Sequence, residues 1–479
     1  MFGRRLTSTN PALKAMVLYG LGLGIMKGVS LLMLPWLTKV LPQADFGRLE
    51  LIMSIAMFSS IVAGMGLQEA MCRFIGDATD AAHKRTIAAE FYGLALLIAL
   101  LSLPLLLGLA WFISQQFPAL FSLYQLGLVL SLLAFESCIS LPLTWMRMAD
   151  KPWLFFLATT SRALLNVVLI LAFTEAGRGL DGIVEAGSVA ALCQLIILTG
   201  YQCQATGVRL SRRFLRPLAV YGLPIIATGL MAFTLNGLDR WILQAFTSAE
   251  SVAIFAVAAK FAIGLVLLQQ PFTFWWFPRR FDVLFNQGQQ AAVKMTSLGV
   301  GILCVLAITL GTLTPALIVS VMPSAYAPAI NIAMILIMAA LFKESAELMN
   351  LASLSQGSSE KQLYINILAS MIGVALMLLL TQNHGVLGLS MSLVFAQGLR
   401  LVLLTWLGHK MLPLPYPALT LISMILLTFG LLLLGMLDLA LWQRLCLGVI
   451  GVTTLGFLLV SSGLVFNQRG RWKLASRSV

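Results

Sequence analysis

Residues 12–41, from Ala12 to Leu41, read ALKAMVLYGLGLGIMKGVSLLMLPWLTKVL. The run is apolar and long enough to cross a bilayer, since about 20 apolar residues at 1.5 Å rise traverse about 30 Å of hydrocarbon. One charge, Lys27, sits near its middle. It lies about 13 residues past Lys14 and about 12 before Lys39, close to the midplane. A charge there costs about 3 kcal/mol on insertion scales unless it meets a partner or a wet cavity. It is too deep to snorkel easily to either surface. Lys27 therefore asks for water, a carboxylate or an anionic ligand.

The rest of the composition agrees with a membrane-embedded chain. Of 479 residues, 59% are hydrophobic and 10% charged, against about 25% charged in a soluble domain. An all-α polytopic membrane protein is expected. No cleavable signal is expected, because the first apolar run is too long and lacks a small-residue cleavage site. The net charge of +13 is read as topology rather than nucleic-acid binding. The six cysteines form no C-x-x-C pair, and the three histidines have no H-E-x-x-H spacing. No disulfide framework, metal or cofactor is expected. Without a Walker A sequence, no ATPase is expected either. The glycines from Gly20 to Gly28 follow no strand, so they read as close helix packing rather than a dinucleotide fingerprint.

About fourteen apolar spans follow, at roughly 12–41, 46–71, 87–113, 119–146, 153–175, 180–201, 217–246, 251–278, 293–322, 326–350, 363–382, 386–408, 417–437 and 441–465. With the N-terminus in the cytoplasm, alternation puts about two-thirds of the 31 lysines and arginines inside, among them Arg4, Arg5, Lys84, Arg85, Arg147, Lys151, Arg209, Arg213, Arg279 and Lys410. Only Lys39, Arg178 and Arg444 fall in outer loops. Both termini are expected in the cytoplasm, which requires an even number of spans.

The chain also repeats itself weakly. Tyr19-Gly20 opens the first span and Tyr221-Gly222 the seventh; Gly179-Leu180-Asp181-Gly182 opens the sixth and Gly385-Val386-Leu387-Gly388 the twelfth. Copies separated by six spans share one orientation. The expected architecture is two six-helix lobes related by a pseudo-two-fold along the membrane normal, plus two C-terminal helices. The lobes are 1–208 and 217–410, joined by a basic linker at 209–216 and followed by two extra spans and a basic tail in 411–479.

Three stretches carry a family resemblance. The first is Leu34-Pro35-Trp36-Leu37-Thr38-Lys39-Val40-Leu41, with Asp45-Phe46-Gly47, Gly66-Leu67-Gln68-Glu69-Ala70 and Arg73. The second is Tyr221-Gly222-Leu223-Pro224, then Leu238-Asp239-Arg240-Trp241-Ile242-Leu243, Ile254-Phe255-Ala256-Val257-Ala258-Ala259-Lys260 and Pro278. The third runs from Ile365 to Ser392. The chain resembles the polysaccharide transporter branch of the multidrug/oligosaccharidyl-lipid/polysaccharide (MOP) exporters, and within it the O-antigen and exopolysaccharide repeat-unit flippases. The resemblance implies an undecaprenyl-pyrophosphate-linked oligosaccharide, flipped from the cytoplasmic to the periplasmic leaflet of the bacterial inner membrane. It also implies a surface-polysaccharide polymerase and a chain-length regulator as partners.

The basic residues expected at depth are Lys27, Arg162, Lys260 and Arg400. Acidic residues mostly lie near span ends, so the middle of the membrane is cationic, which suits a pyrophosphate. Each of the four is a candidate substrate-binding group, and each has a structural alternative. An ion pair would satisfy Lys27, snorkelling would satisfy Arg162, and a helix carbonyl would satisfy Arg400. Lys27 and Lys260 lie on spans that line the central cleft in the resembled family. Asp239 and Arg240 fit either an extracellular gate or edge anchoring with Trp241. Glu69 and Arg73, at i and i+4, read as a structural pair. The Lys343–Glu347 spacing permits another; a proton relay through the Lys343, Glu344 and Glu347 cluster is the alternative. The aromatic run Phe272–Phe277 reads as an interfacial belt.

The expected function is therefore a flippase working by alternating access through a cationic cavity. Without an ATPase, its energy comes from an ion gradient or from removal of product. A cation-coupled drug or metabolite antiporter of the same superfamily is the alternative. A membrane glycan polymerase or ligase would need long polar outer loops, and the outer loops here run to roughly four to ten residues. The chain is not expected to be an enzyme.

Overall fold

The computed structural model describes residues 28–78, 80–211, 213–355, 359–437, 439–462, 465–468 and 471–474, together with Gly20, Gly22 and Gly24. Its body is helical, as it must be where no water can satisfy backbone groups. In chain order the helices are α1 (Leu34–Val40), α2 (Gln43–Gly64), α3 (Leu67–Gly76), α4 (Ala81–Gln116), α5 (Leu123–Leu133), α6 (Glu136–Met148), α7 (Pro152–Glu175) and α8 (Gly179–Ala205). Next come α9 (Leu215–Thr234), α10 (Leu238–Phe246), α11 (Ala249–Trp276), α12 (Gln289–Val321), α13 (Ala329–Met349), α14 (Ser359–Met411), α15 (Ala418–Leu434) and α16 (Leu441–Ser461). A short antiparallel hairpin, β1 (Val465–Gln468) with β2 (Arg471–Leu474), follows.

Among the described residues ten helices are long and apolar enough to cross a membrane, or eleven if α9 and α10, bent by 40°, form one span. The sequence predicts fourteen, and the difference has three sources. The spans expected at 363–382 and 386–408 run as one helical stretch, α14, broken only at Gly385, where φ is 54° and ψ −133°. Helix α15 has 17 residues, about 25 Å of rise, just under a full crossing. The first span is described as a helix only from Gly28 to Val40.

The chain divides into two compact units, Met1–Arg240 and Trp241–Val479. The core of the first joins Leu67, Met71, Phe91, Tyr92, Trp145 and Phe214. Within it the Phe214 ring lies tilted 5.0 Å from Phe74 and 4.9 Å from Phe91, and the Tyr92 hydroxyl donates to Thr199 at 2.8 Å. In the second unit α13 is buried without interruption from Ile332 to Leu341, as a central helix should be. Trp276, wholly buried, belongs to that same core. The aromatic run is therefore partly core rather than all interfacial belt.

Backbone contact at glycine sets the packing of the first unit. Helices α2 and α3 meet at Met65 and Gly66, both left-handed, with φ of 47° and 63°. Helix α9 crosses this break at Gly222, where a Cβ would stand 2.3 Å from the Met65 carbonyl oxygen. A backbone oxygen cannot rotate away as a side chain can. Gly222→Ala is therefore expected to cost about 3 kcal/mol, the upper end of overpacking. Gly108→Ala, with nothing within 4 Å of the new Cβ, is expected to be neutral or slightly stabilising. Thermal unfolding of the two variants in detergent, read by size-exclusion, checks the contrast.

Candidate functional site

The ionisable residues within the helices sort into those held by carboxylates and those held by neutral groups. In the first unit Arg240 is held by carboxylates. Its Nε donates to Glu50 Oε2 at 3.2 Å and its Nη1 to Asp239 Oδ1 at 3.1 Å. Nη1 also donates to the Asn236 carbonyl at 3.1 Å, and the Arg240 backbone N–H donates to Asp239 Oδ1 at 2.8 Å. All three side chains are largely buried. The Ser54 hydroxyl donates to the Gly237 carbonyl at 2.8 Å beside them. Asp239 and Arg240 do meet although they are adjacent, and Glu50, 190 residues from Arg240, completes a buried triad joining α2 to α10.

Arg162, on α7, is held differently. Its Nη1 donates to the Gln194 side-chain oxygen at 2.8 Å, and Gln194 Nε2 donates to the Ala158 carbonyl at 3.0 Å. The second bond fixes the amide so that its oxygen faces the guanidinium. No carboxylate pairs with Arg162 among the described residues. One of its five N–H donors is occupied. Arg162 and Gln194 line a groove of about 170 Å³ between α7 and α8, with Ser161, Leu165, Cys193 and Ile197.

In the second unit Arg400 donates to Glu347 Oε1 and, at 2.8 Å, to Asn366 Oδ1. The other Glu347 oxygen accepts from Asn350 Nδ2 at 3.3 Å, and Asn350 Oδ1 accepts from Arg280 at 3.2 Å. Five residues from α13, α14 and the turns beside them thus form one polar chain. Arg280 also lies against Phe277 and Phe281, 4.4 and 5.0 Å from their ring centroids. Burial pulls its guanidinium below its ordinary range, while the nearby Glu347 charge raises it. Lys343 sits on the same helix as Glu347, but the carboxylate is engaged by Arg400 and Asn350 instead. Lys260 is half-buried on α11 and is not a free charge. Lys27 lies outside the described residues.

Glu69 and Arg73 lie one turn apart on α3, and no ion pair joins them. The Arg73 guanidinium lies over the Tyr221 ring instead, 4.9 Å from its centroid. Sequence reasoning missed one cluster altogether. Arg178 pairs with Glu185 at 2.8 Å, Tyr124 donates to Glu185 at 2.6 Å, and Gln125 donates to Asp181 at 2.7 Å. Gln125 also caps its own helix through Ser122, so one side chain both starts α5 and ties it to α8. The Ser-x-x-Gln capping signal was legible; the partner on α8 was not.

Residues 12–283 match the family model described as polysaccharide biosynthesis protein. No curated protein matches the chain in sequence. Among solved structures, it is similar to lipid II flippase MurJ in an inward closed conformation, at TM-score 0.68 and 12% identity, covering 93% of this chain and 99% of that one. The MATE multidrug transporter DinF-BH aligns at TM-score 0.59 and 15% identity, covering 85% and 97%. An inward-facing MATE family transporter of the MOP superfamily aligns at TM-score 0.57 and 16% identity, covering 82% and 94%. At such identities these likenesses speak for the fold, while the family match spans more than half the chain. The chain belongs to the polysaccharide biosynthesis protein family, as a multi-pass membrane protein with the fold of the MOP exporters.

Proposed function

We propose that the chain is a flippase that moves an oligosaccharide repeat unit on undecaprenyl pyrophosphate from the cytoplasmic to the periplasmic leaflet of the bacterial inner membrane. Both termini lie in the cytoplasm, and the product passes to a surface-polysaccharide polymerase with its chain-length regulator. Lys27, Lys260 and Arg162 bind the anionic headgroup. Arg400, held by Glu347, positions its helix and reaches the cargo only if that pair opens. Asp239 and Arg240, held together with Glu50, act as a structural joint between α2 and α10 rather than as an outer gate. The observation that carries the reading is Arg162, a guanidinium within the membrane whose partner is a neutral amide beside an open groove. A cation kept without a counter-charge suits an anionic cargo. The antiporter reading draws less support, because Glu50, Asp239, Glu347 and Glu185 are all held by arginines.

Complementation in hosts deleted for their own flippase tests this. Wild type is expected to restore surface polysaccharide and to clear accumulated lipid-linked repeat unit, and Lys27→Ala at equal membrane level to restore much less. Failure with every repeat unit tried, together with resistance to cationic drugs, would establish the antiporter instead.

A further inference from the structure

One cavity of the second unit plays no part in the proposed headgroup site. It is a groove of about 490 Å³ between the last turns of α14 and the start of α15, lined by Met349, Leu401, Trp406, Leu421, Ile422 and Ile425 among others. Nearly all of its lining is apolar. The last turn of α14 carries His409, which lines the groove, and Lys410 next to it. The Lys410 ammonium lies 5.4 Å from the centroid of the exposed Trp406 ring. No Asp or Glu is among the residues that line the groove.

We infer that this groove holds one acyl chain of an anionic phospholipid of the surrounding bilayer, with the lipid phosphate at Lys410 and His409. Three features favour that occupant. The concave apolar wall matches a chain, which a flat lipid-facing helix surface does not. The basic pair beside an interfacial tryptophan matches an anionic headgroup. The volume also suits it: taking a methylene as similar in size to a water, which occupies about 30 Å³ of the liquid, the groove accepts about 16 chain carbons, the length of one acyl chain.

Tryptophan quenching in nanodiscs by phospholipids brominated on the acyl chain tests the assignment on the full-length protein. Subtracting the signal of Trp406→Phe isolates Trp406 from the other nine tryptophans of the ten present. Trp406-dependent quenching is expected to reach half its limit at about fivefold less brominated phosphatidylglycerol than brominated phosphatidylcholine, the factor one lysine contributes near anionic headgroups. Lys410→Ala should remove that preference. Ala418→Phe, which fills the groove from the exposed start of α15, should remove the quenching by both lipids. Equal quenching by the two lipids, indifferent to Lys410→Ala, would make the lipid ordinary boundary lipid and overturn the proposal. So would displacement by a lipid-linked oligosaccharide, which would give the groove to the cargo tail, or the absence of Trp406-dependent quenching.

Discussion

Replacing Arg240 with alanine is expected to destabilise the protein by about 3–5 kcal/mol, the cost of leaving buried charge uncompensated. The guanidinium holds two carboxylates at once, with Glu50 at 3.2 Å and Asp239 at 3.1 Å, and their side chains are only 8% and 5% exposed. Removing it leaves two like charges close together with no cation between them. Arg240→Lys should fall between, since an ammonium cannot fork to both acids. Arg240→Leu combined with Glu50→Leu and Asp239→Asn should recover much of the loss, because an apolar replacement of a buried ion cluster is often neutral. Asparagine at 239 keeps an acceptor for the Arg240 backbone N–H. Apparent melting temperatures in detergent check the series. Normal stability of Arg240→Ala with loss of transport would make the triad a gate and not a structural joint.

Arg162→Ala is expected to do the opposite: little to stability and much to transport. Its loss leaves Gln194 still bonded to the Ala158 carbonyl, so no buried charge is stranded and the cost should stay near 1 kcal/mol. A hydrogen bond from a cation to an anionic group contributes about 1.5–3 kcal/mol, so cargo affinity should fall roughly tenfold to a hundredfold. Arg162→Lys should restore part of it, keeping the charge without the fork. Gln194→Leu should leave the guanidinium unanchored and weaken binding less than its removal does. Surface polysaccharide and accumulated lipid-linked repeat unit, measured at matched membrane levels, report the effect. Wild-type output from Arg162→Ala would remove this residue from the binding site.

The membrane class and the helical fold were legible in the sequence. Both rest on local quantities: the length of an apolar run and the rise of a helix. Helix continuity was less legible, because Gly385 with its positive φ breaks α14 without ending it. Partner choice was legible for Asp239 with Arg240 and not for the other charges. The i, i+4 rule predicts Lys343 with Glu347 and Glu69 with Arg73, yet Glu347 takes Arg400 from 53 residues away and Arg73 turns to Tyr221. A local pair on an exposed helix face gains only about 0.5 kcal/mol. A charge inside the bundle loses far more if left alone, so it takes whatever polar group the packing brings within reach. Sequence spacing therefore determined which residues need partners. Only the tertiary structure decided that Arg240 also takes Glu50 and that Arg400 finds a carboxylate while Arg162 finds an amide, because that choice belongs to the helices packed alongside.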